Sequence, residues 1–418
     1  MNEPIVSSLS FPSQPPRDVL TQILHEKAGQ LLAQAVEAEA DQYLTEHAAV
    51  VDEKGRRQVV RNGHLPTRAI LTGIGSVPVT QPRIRDKRPV NGGRVKFTSK
   101  ILPPYLRKAR SVEDLIPWLY LKGISTGDMA EALSALLGSA ARGLSASVVT
   151  RLVRQWEDDW QRWRQQSLGD KPYVYLWADG VYFNIRLEEE GNDRQCILVL
   201  MGATAEGQKE LIAIADGYRE SEQSWAELLL DVKARGLSIS PKLATGDGAL
   251  GFWAALRKVF PACREQRCWV HKTANVLNKM PKHLHGKATA MLHDIWMAQT
   301  RAEAVKAFDL FLTSFRSKYP PAVECLEKDR DVLLTFYDFP AEHWVHLRTT
   351  NPIESTFATV RLRHDKTKGS GSRTACLTMV FKLMASAARS WRTLNGSEIL
   401  PEVLAGVAFE DGVKKVAA

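Results

Sequence analysis

The stretch Tyr173 to Phe183, YVYLWADGVYF, constrains this chain more than any other. Aromatic and β-branched residues run straight into Asp179 and Gly180, the composition of a buried strand that ends in a carboxylate. Two further stretches set an acid at the edge of an element. KLATGDGALGFW places Asp247 at the end of an apolar run, and RTTNPIESTF places Glu354 just inside a helix start. Singly, each acid has an ordinary structural explanation. Asp-Gly is a common turn pair, and Asn351-Pro352-Ile353-Glu354 has the form of an N-cap, a first helical proline and a capping-box glutamate. In combination they read as three carboxylates that meet and hold metal.

The order of elements supports that meeting. Strands are expected over 173–187, interrupted at Asp179-Gly180, and over 195–204 and 210–216. A helix follows at 221–235, then a strand at 242–245 that delivers Asp247, and a helix at 249–259. Three strands, a helix and a strand with an acid at its end is the order of an RNase H-like α/β core, with Asp179 and Asp247 on adjacent strands. A helical pattern from about 271 to 347 separates the second acid from the third, and a helix from about Asn351 closes the core and carries Glu354. Trp253, Trp269 and Trp296 are expected in the core.

A chain of 418 residues exceeds one ordinary core. Residues 1–16 are rich in Ser and Pro, as in a loose arm. Residues 17–47 carry a helical apolar pattern able to pack on the body or on a second protomer. Residues 62–82 read as a β-hairpin, RAILT and SVPVTQ around GIG. Next comes the most basic stretch: Arg83, Arg85, Lys87, Arg88, Arg94, Lys96, Lys100, Arg107, Lys108 and Arg110, against the single acid Asp86. Pro82, Pro89, Gly92 and Gly93 break it, which favours an extended segment that tracks a phosphate backbone. Helices are expected at 111–121, 126–137 and 145–165, the second capped by Ser125 or Thr126 and stopped by Gly138, the third capped by Ser145. With Arg151, Arg154, Arg162 and Arg164 on the third, the trio resembles a helix-turn-helix reader. The connection GSAARGL is long for such a turn, so a plain bundle fits nearly as well.

The fold class expected is therefore α/β: an RNase H-like catalytic core with a helical insertion, preceded by a mainly α-helical DNA-binding region with a small β-hairpin. The divisions are an arm and helical segment at 1–55, hairpin and basic segment at 56–110, and helical DNA-binding domain at 111–169. The first part of the core spans 170–270, the helical insertion 271–348, and the second part of the core with its tail 349–418. A formal charge of +9 favours a polyanionic partner. No apolar run reaches the length of a membrane span, and the N-terminus MNEPIVSSLSFPSQPPRDVL lacks the pattern of a signal peptide, so cytoplasm is expected. Five cysteines, an odd number thinly spread, argue against a disulfide framework.

Magnesium takes oxygen ligands, and two such ions clamp the attacking and leaving oxygens of an in-line phosphoryl displacement. The first acid would bridge the two ions, and the other two would each bind mainly one. Zinc is the competing thought, through Cys263, Cys268, His271, His283 and His285. No Cys-x-x-Cys knuckle accompanies the spacing from Cys268 to His271, which favours a structural or DNA-positioning role for that pair.

WADGVY around Asp179, GDGALGFW around Asp247, QRCWVHKTANVL at 266–277 and TTNPIEST around Glu354 resemble the signature blocks of bacterial Mutator-type insertion-sequence transposases. The likeness extends to FTSKILPPYLRK, LYLKGISTGDM and LSASVV upstream and to Arg361, Arg363 and the FEDG tail downstream, nearly the whole chain. The resemblance implies a DDE-type transposase that nicks at the terminal inverted repeats of an element and joins the 3′ end to target DNA. It implies Asp179, Asp247 and Glu354 as catalytic acids and ligands of Mg²⁺, with Mn²⁺ a substitute, and Cys268 and His271 as a pair near the site. Double-stranded DNA would be the partner, met by a homodimer or higher oligomer. Two rivals have different signatures. An RNase H-like regulator without cleavage activity would have lost one of the acids, and a carboxylate-pair glycoside hydrolase has no need of the basic run.

Overall fold

The computed structural model describes residues 19–89, 93–124, 128–137, 146–169, 171–186, 194–217, 219–248, 250–366 and 369–415. The arm at 1–16 and the caps expected at Ser125, Thr126, Gly138 and Ser145 lie outside them. The chain forms two units, one ending at Leu152 and the other beginning at Val153. Among the described residues no helix is long and apolar enough to cross a membrane, and all five cysteines are free.

In the first unit α1 (Val19–Glu46) buries Val36 and Ala40. β1 (Val59–His64) pairs antiparallel with β4 (Pro82–Asp86), and between them β2 (Arg68–Thr72) and β3 (Gly75–Val79) form the expected hairpin. Val36 of α1 joins Ile70, Val77, Val79 and Leu102 in one cluster. The outer pair was not anticipated. Arg61-Asn62-Gly63 looks like a turn, but Gly63 adopts φ +70° at a register shift, a bulge that keeps the strand going. The helices α2 (Arg110–Leu121), α3 (Met129–Leu137) and α4 (Ala146–Arg164) fall where their patterns place them. The boundary between units lies inside α4, and its later half is built into the second unit, where the Trp160 Nε1–H donates to the Ile214 carbonyl at 3.4 Å.

The second unit is a five-stranded mixed sheet. β5 (Tyr173–Asn184), β6 (Arg194–Thr204) and β7 (Lys209–Gly217) form an antiparallel meander. After α5 (Glu222–Ala234) comes β8 (Leu243–Gly246), then α6 (Leu250–Val259) and β9 (Arg264–Arg267). β8 runs parallel to β5 and β9 parallel to β8, so the order across the sheet is β7-β6-β5-β8-β9. β9, REQR in sequence, is too short and polar to have been expected as a strand, and it occupies the edge, where such residues are tolerated. The other correction concerns β5, which is not interrupted at Asp179. Asp179 pairs with Val199 and Gly180 with Leu198, so β6 carries the strand through the Asp-Gly pair.

Alternation gives β5 two buried faces. Leu176 and Ala178 pack with Leu198, Trp225, Leu229, Phe252 and Leu256 beneath α5 and α6. On the other face the Tyr175 hydroxyl meets His343 Nδ1 at 2.8 Å, and Trp177 Nε1–H donates to the His346 carbonyl at 2.9 Å. Between the halves of this unit lies a helical stretch: α7 (Trp269–Leu277), α8 (His285–Met297), α9 (Arg301–Phe315), α10 (Pro320–Glu327), α11 (Arg330–Leu333) and α12 (Trp344–Leu347). Then α13 (Asn351–Lys366) covers β5, followed by α14 (Arg373–Ala388), α15 (Leu400–Leu404) and the short pair β10 (Phe409–Glu410) and β11 (Val413–Lys414). Trp253 and Trp269 are buried as expected. Trp296 is only half-buried, with the Arg348 guanidinium stacked 5.0 Å from its ring.

Candidate active site

The last parallel pair between β5 and β8 is Ala178 with Gly246. The next residue on each strand is an acid, Asp179 on one and Asp247 on the other, so the two acids leave adjacent strands side by side where β8 stops. Asp179 is buried, and its carboxylate accepts the Gly180 N–H at 2.9 Å. Burial first, then the neighbouring Asp247 charge, push its carboxyl up to about 7, against an opposing pull from His271.

Glu354 arrives from the other side of the chain. The Thr350 carbonyl accepts the N–H groups of Ile353 and Glu354 at 2.9 and 3.0 Å, so α13 is initiated at Thr350 and not by an Asn351 cap. The capping-box expectation is therefore corrected. Glu354 lies one full turn beyond Thr350, whose hydroxyl donates to Glu354 Oε1 at 2.7 Å. The Thr350 N–H in turn points to Cys268 Sγ at 3.3 Å, and His271 Nδ1 lies 3.4 Å from Glu354 Oε1.

Cys268 precedes α7, and its N–H donates to the Gly246 carbonyl at 2.8 Å, which ties the Cys-x-x-His pair to the end of β8. Its hydrogen bond with His271, aided by the nearby Glu354 and Asp179 charges, raises the imidazole to about 9. Ligand atoms of Cys268, His271 and Glu354 lie within 4.8 Å of one another, while Asp179 and Asp247 fall outside that tight trio. Asp179 nonetheless senses Asp247 and Glu354 as neighbouring charges. Thr350 and His271 engage Glu354 as they engage Cys268, so the acid belongs to both sets: carboxylate oxygens suit a hard divalent cation, the thiol and imidazole a softer one. The wider zinc set is not assembled: Cys263 Sγ faces the Arg264 carbonyl and His285 Nε2 lies 3.0 Å from the Met280 carbonyl.

Two features escaped the sequence. Glu220, just ahead of the Ser221 cap of α5, is raised to about 7 by burial and then by Asp247. Nothing in its spacing marks it, since an acid before a serine cap is an ordinary helix entry. Arg267 packs over Gly248, which follows Asp247 and has φ +99°; a Cβ there would lie 2.0 Å from the guanidinium carbon. Arg267 pairs with Asp329 at 2.8 Å, and the fully buried Lys272 ammonium donates to the same carboxylate.

The basic residues separate into exposed and engaged. Arg83, Arg85 and Lys87 are exposed at alternate positions, as are Lys96, Lys100 and Arg107, and Arg151 and Arg154 are exposed on α4. Lys108 is half-buried. Arg88, expected to meet phosphate, is instead folded onto Asp86, with Nε to Oδ1 at 3.1 Å and Nη2 to Oδ2 at 2.7 Å, and this holds the Asp86 carboxyl far below its usual range. Arg361 is exposed, but Arg363 is buried at 2 % exposure, because Val360, Arg363 and His364 share the inward stripe of α13. Arg363 thus points inward, away from solvent.

Comparison with known proteins agrees with the sequence blocks. The family model described as Transposase, Mutator family matches residues 12–393. The transposase for insertion sequence element IS6120 of Mycolicibacterium smegmatis is 52% identical over 301 residues, 72% of this chain and 92% of that one. The transposase for IST2 of Acidithiobacillus ferrooxidans is 50% identical over 285 residues, 68% of this chain and 95% of its own. A more distant relative, the transposase for ISRM5 of Rhizobium meliloti strain 1021, is 25% identical over 372 residues, 89% of each chain.

Proposed function

The chain belongs to the Mutator family of transposases, and from that premise we propose that it is a DDE-type enzyme. It binds the terminal inverted repeats of an insertion sequence and catalyses divalent-metal-dependent cleavage and strand transfer. The observation that carries the reading is the register of β5 and β8, whose last parallel pair is Ala178 with Gly246, so that Asp179 within β5 stands beside Asp247 just past the end of β8. The strand order supports an RNase H-like core, in which the crevice beyond the carboxyl ends of parallel strands is the usual place for a site.

Asp179, Asp247 and Glu354 would hold Mg²⁺, with Mn²⁺ as a substitute. Such ions, when bound, neutralise charge on the attacking and leaving oxygens of a phosphodiester. The protein's own part is positional. Asp179 is fixed by the strand and by the Gly180 N–H, and Glu354 by the Thr350 hydroxyl, whose backbone N–H is anchored in turn on Cys268. That chain gives the Cys268–His271 pair a role without zinc: it aligns Glu354 and places a cationic imidazole beside it. The exposed cations of the first unit would position duplex DNA through its phosphates, in a homodimer or larger assembly acting on the nucleoid in the cytoplasm.

The test uses full-length protein and DNA carrying the element's ends. Nicking is expected in Mg²⁺ or Mn²⁺ and not in EDTA, and Asp247→Asn should abolish it. Undiminished nicking by Asp247→Asn would remove that residue from the site.

A further inference from the structure

We propose that Glu220 is a fourth carboxylate of the site and that it shares with Asp247 the divalent cation of the proposed reaction. The inference rests on the reading of Asp179, Asp247 and Glu354 as metal ligands and adds a residue to it. Its basis is how the segment at Glu220 is held. Ser221 caps α5, its Oγ accepting the Ser224 N–H at 3.2 Å, so the residue before it enters a fixed helix start. The same segment is pressed against the first turn of α6: a Cβ on Gly251 would lie 2.3 Å from the Glu220 carbonyl oxygen and 2.6 Å from the Glu222 nitrogen. On its other side the Glu220 side chain lies over Gly180, where a Cβ would stand 2.6 Å from Cδ and 2.7 Å from Oε1.

Gly251 thus gives room to the backbone of this segment and Gly180 to the Glu220 carboxylate itself. A solvent-facing glutamate would not need the second. Gly180 shares the α5 and α6 face of β5, opposite to Asp179, but β8 ends at Gly246, and among the described residues no strand continues between the two faces beyond it. The charges near Glu220 include Asp247 and Asp179 and, opposite in sign, His271. A cation held by Asp247 has the Glu220 oxygens on its α5 side, and a hard ion gains a charged ligand from them.

The experiment is manganese binding to the full chain without DNA, followed by electron paramagnetic resonance, together with the Mg²⁺ dependence of nicking. Glu220→Gln should weaken Mn²⁺ binding about tenfold or more and raise the Mg²⁺ needed for half-maximal nicking by about the same factor. Nicking should recover in excess Mg²⁺, Glu220→Asp should fall between, and the melting temperature should hold. Gly180→Ala, which keeps the carboxylate but displaces it, should also weaken Mn²⁺ binding. Wild-type Mn²⁺ affinity in Glu220→Gln would overturn the proposal, as would a loss of nicking that excess Mg²⁺ does not restore. Asp179→Asn separates the two readings. If Asp179→Asn is inactive while Glu220→Gln binds Mn²⁺ normally, only the role of Glu220 fails; if Asp179→Asn nicks and binds Mn²⁺ like wild type, the metal site itself fails.

Discussion

Glu354 shows how one side chain can be read two ways until its neighbours are known. Because the carboxylate is held by the Thr350 hydroxyl and not engaged with an Asn351 cap, Glu354→Gln keeps a hydrogen-bond acceptor for Thr350 and loses only charge. The variant should melt like wild type and bind end DNA equally well, while nicking falls by orders of magnitude, since a hard cation prefers a charged oxygen. Measuring melting temperature, affinity and nicking rate on one preparation decides it, and wild-type nicking would return Glu354 to a structural role. A second single-residue effect concerns His346, which accepts the Asn395 N–H at 3.1 Å. Burial, with Lys209 nearby, pushes its imidazole down from 6.5 to about 4. The unfolded chain therefore takes up a proton that the folded one refuses between those values. The His346 contribution to stability is complete above pH 6.5 and is lost as pH falls towards 4. Melting temperatures of wild type and His346→Gln, compared at pH 7 and pH 4.5, should show the smaller acid-induced drop in the variant.

Elements were legible where their pattern was local, and less so where pairing or burial across the chain decided. The meander, α5, β8, α6 and the hairpin β2–β3 announce themselves through apolar runs and caps, and the order of the first two acids on them followed. Asp179-Gly180 imitates a turn, and only its pairing with Val199 and Leu198 reveals a continuous strand. Arg88 and Arg363 look like phosphate contacts until Asp86 and the inward stripe of α13 claim them. Glu220, Thr350 and Arg267 gain their meaning from segments far away in sequence. The same holds for Asp329, just ahead of α11, which compensates both Lys272 and Arg267. Asp329→Ala would strand the fully buried Lys272 ammonium, and removing one partner of a buried pair costs about 3–5 kcal/mol. A large fall in denaturation midpoint is expected for Asp329→Ala, with partial recovery in the Asp329→Ala/Lys272→Met double variant. A midpoint unchanged in the single variant would mean that water already solvates the pair.

At the scale of the whole molecule the question is which of its many cations meet DNA. The formal charge of +9 attracts any polyanion, so affinity alone cannot identify the contacts. The salt dependence can, because each phosphate neutralised releases counterions and adds about 0.9 to the slope of log affinity against log salt. Arg83 and Arg85 stand on the exposed side of β4, whereas Arg88 spends its charge on the buried Asp86. The Arg83→Ala/Arg85→Ala double variant of the full chain should therefore lower that slope by about 2, on end-sequence and random duplex alike. Arg88→Ala should leave the slope as it was and lower the melting temperature instead, since it deprives a buried carboxylate of its partner. A slope that falls with Arg88→Ala and not with the double variant would move the DNA track off this face of β4.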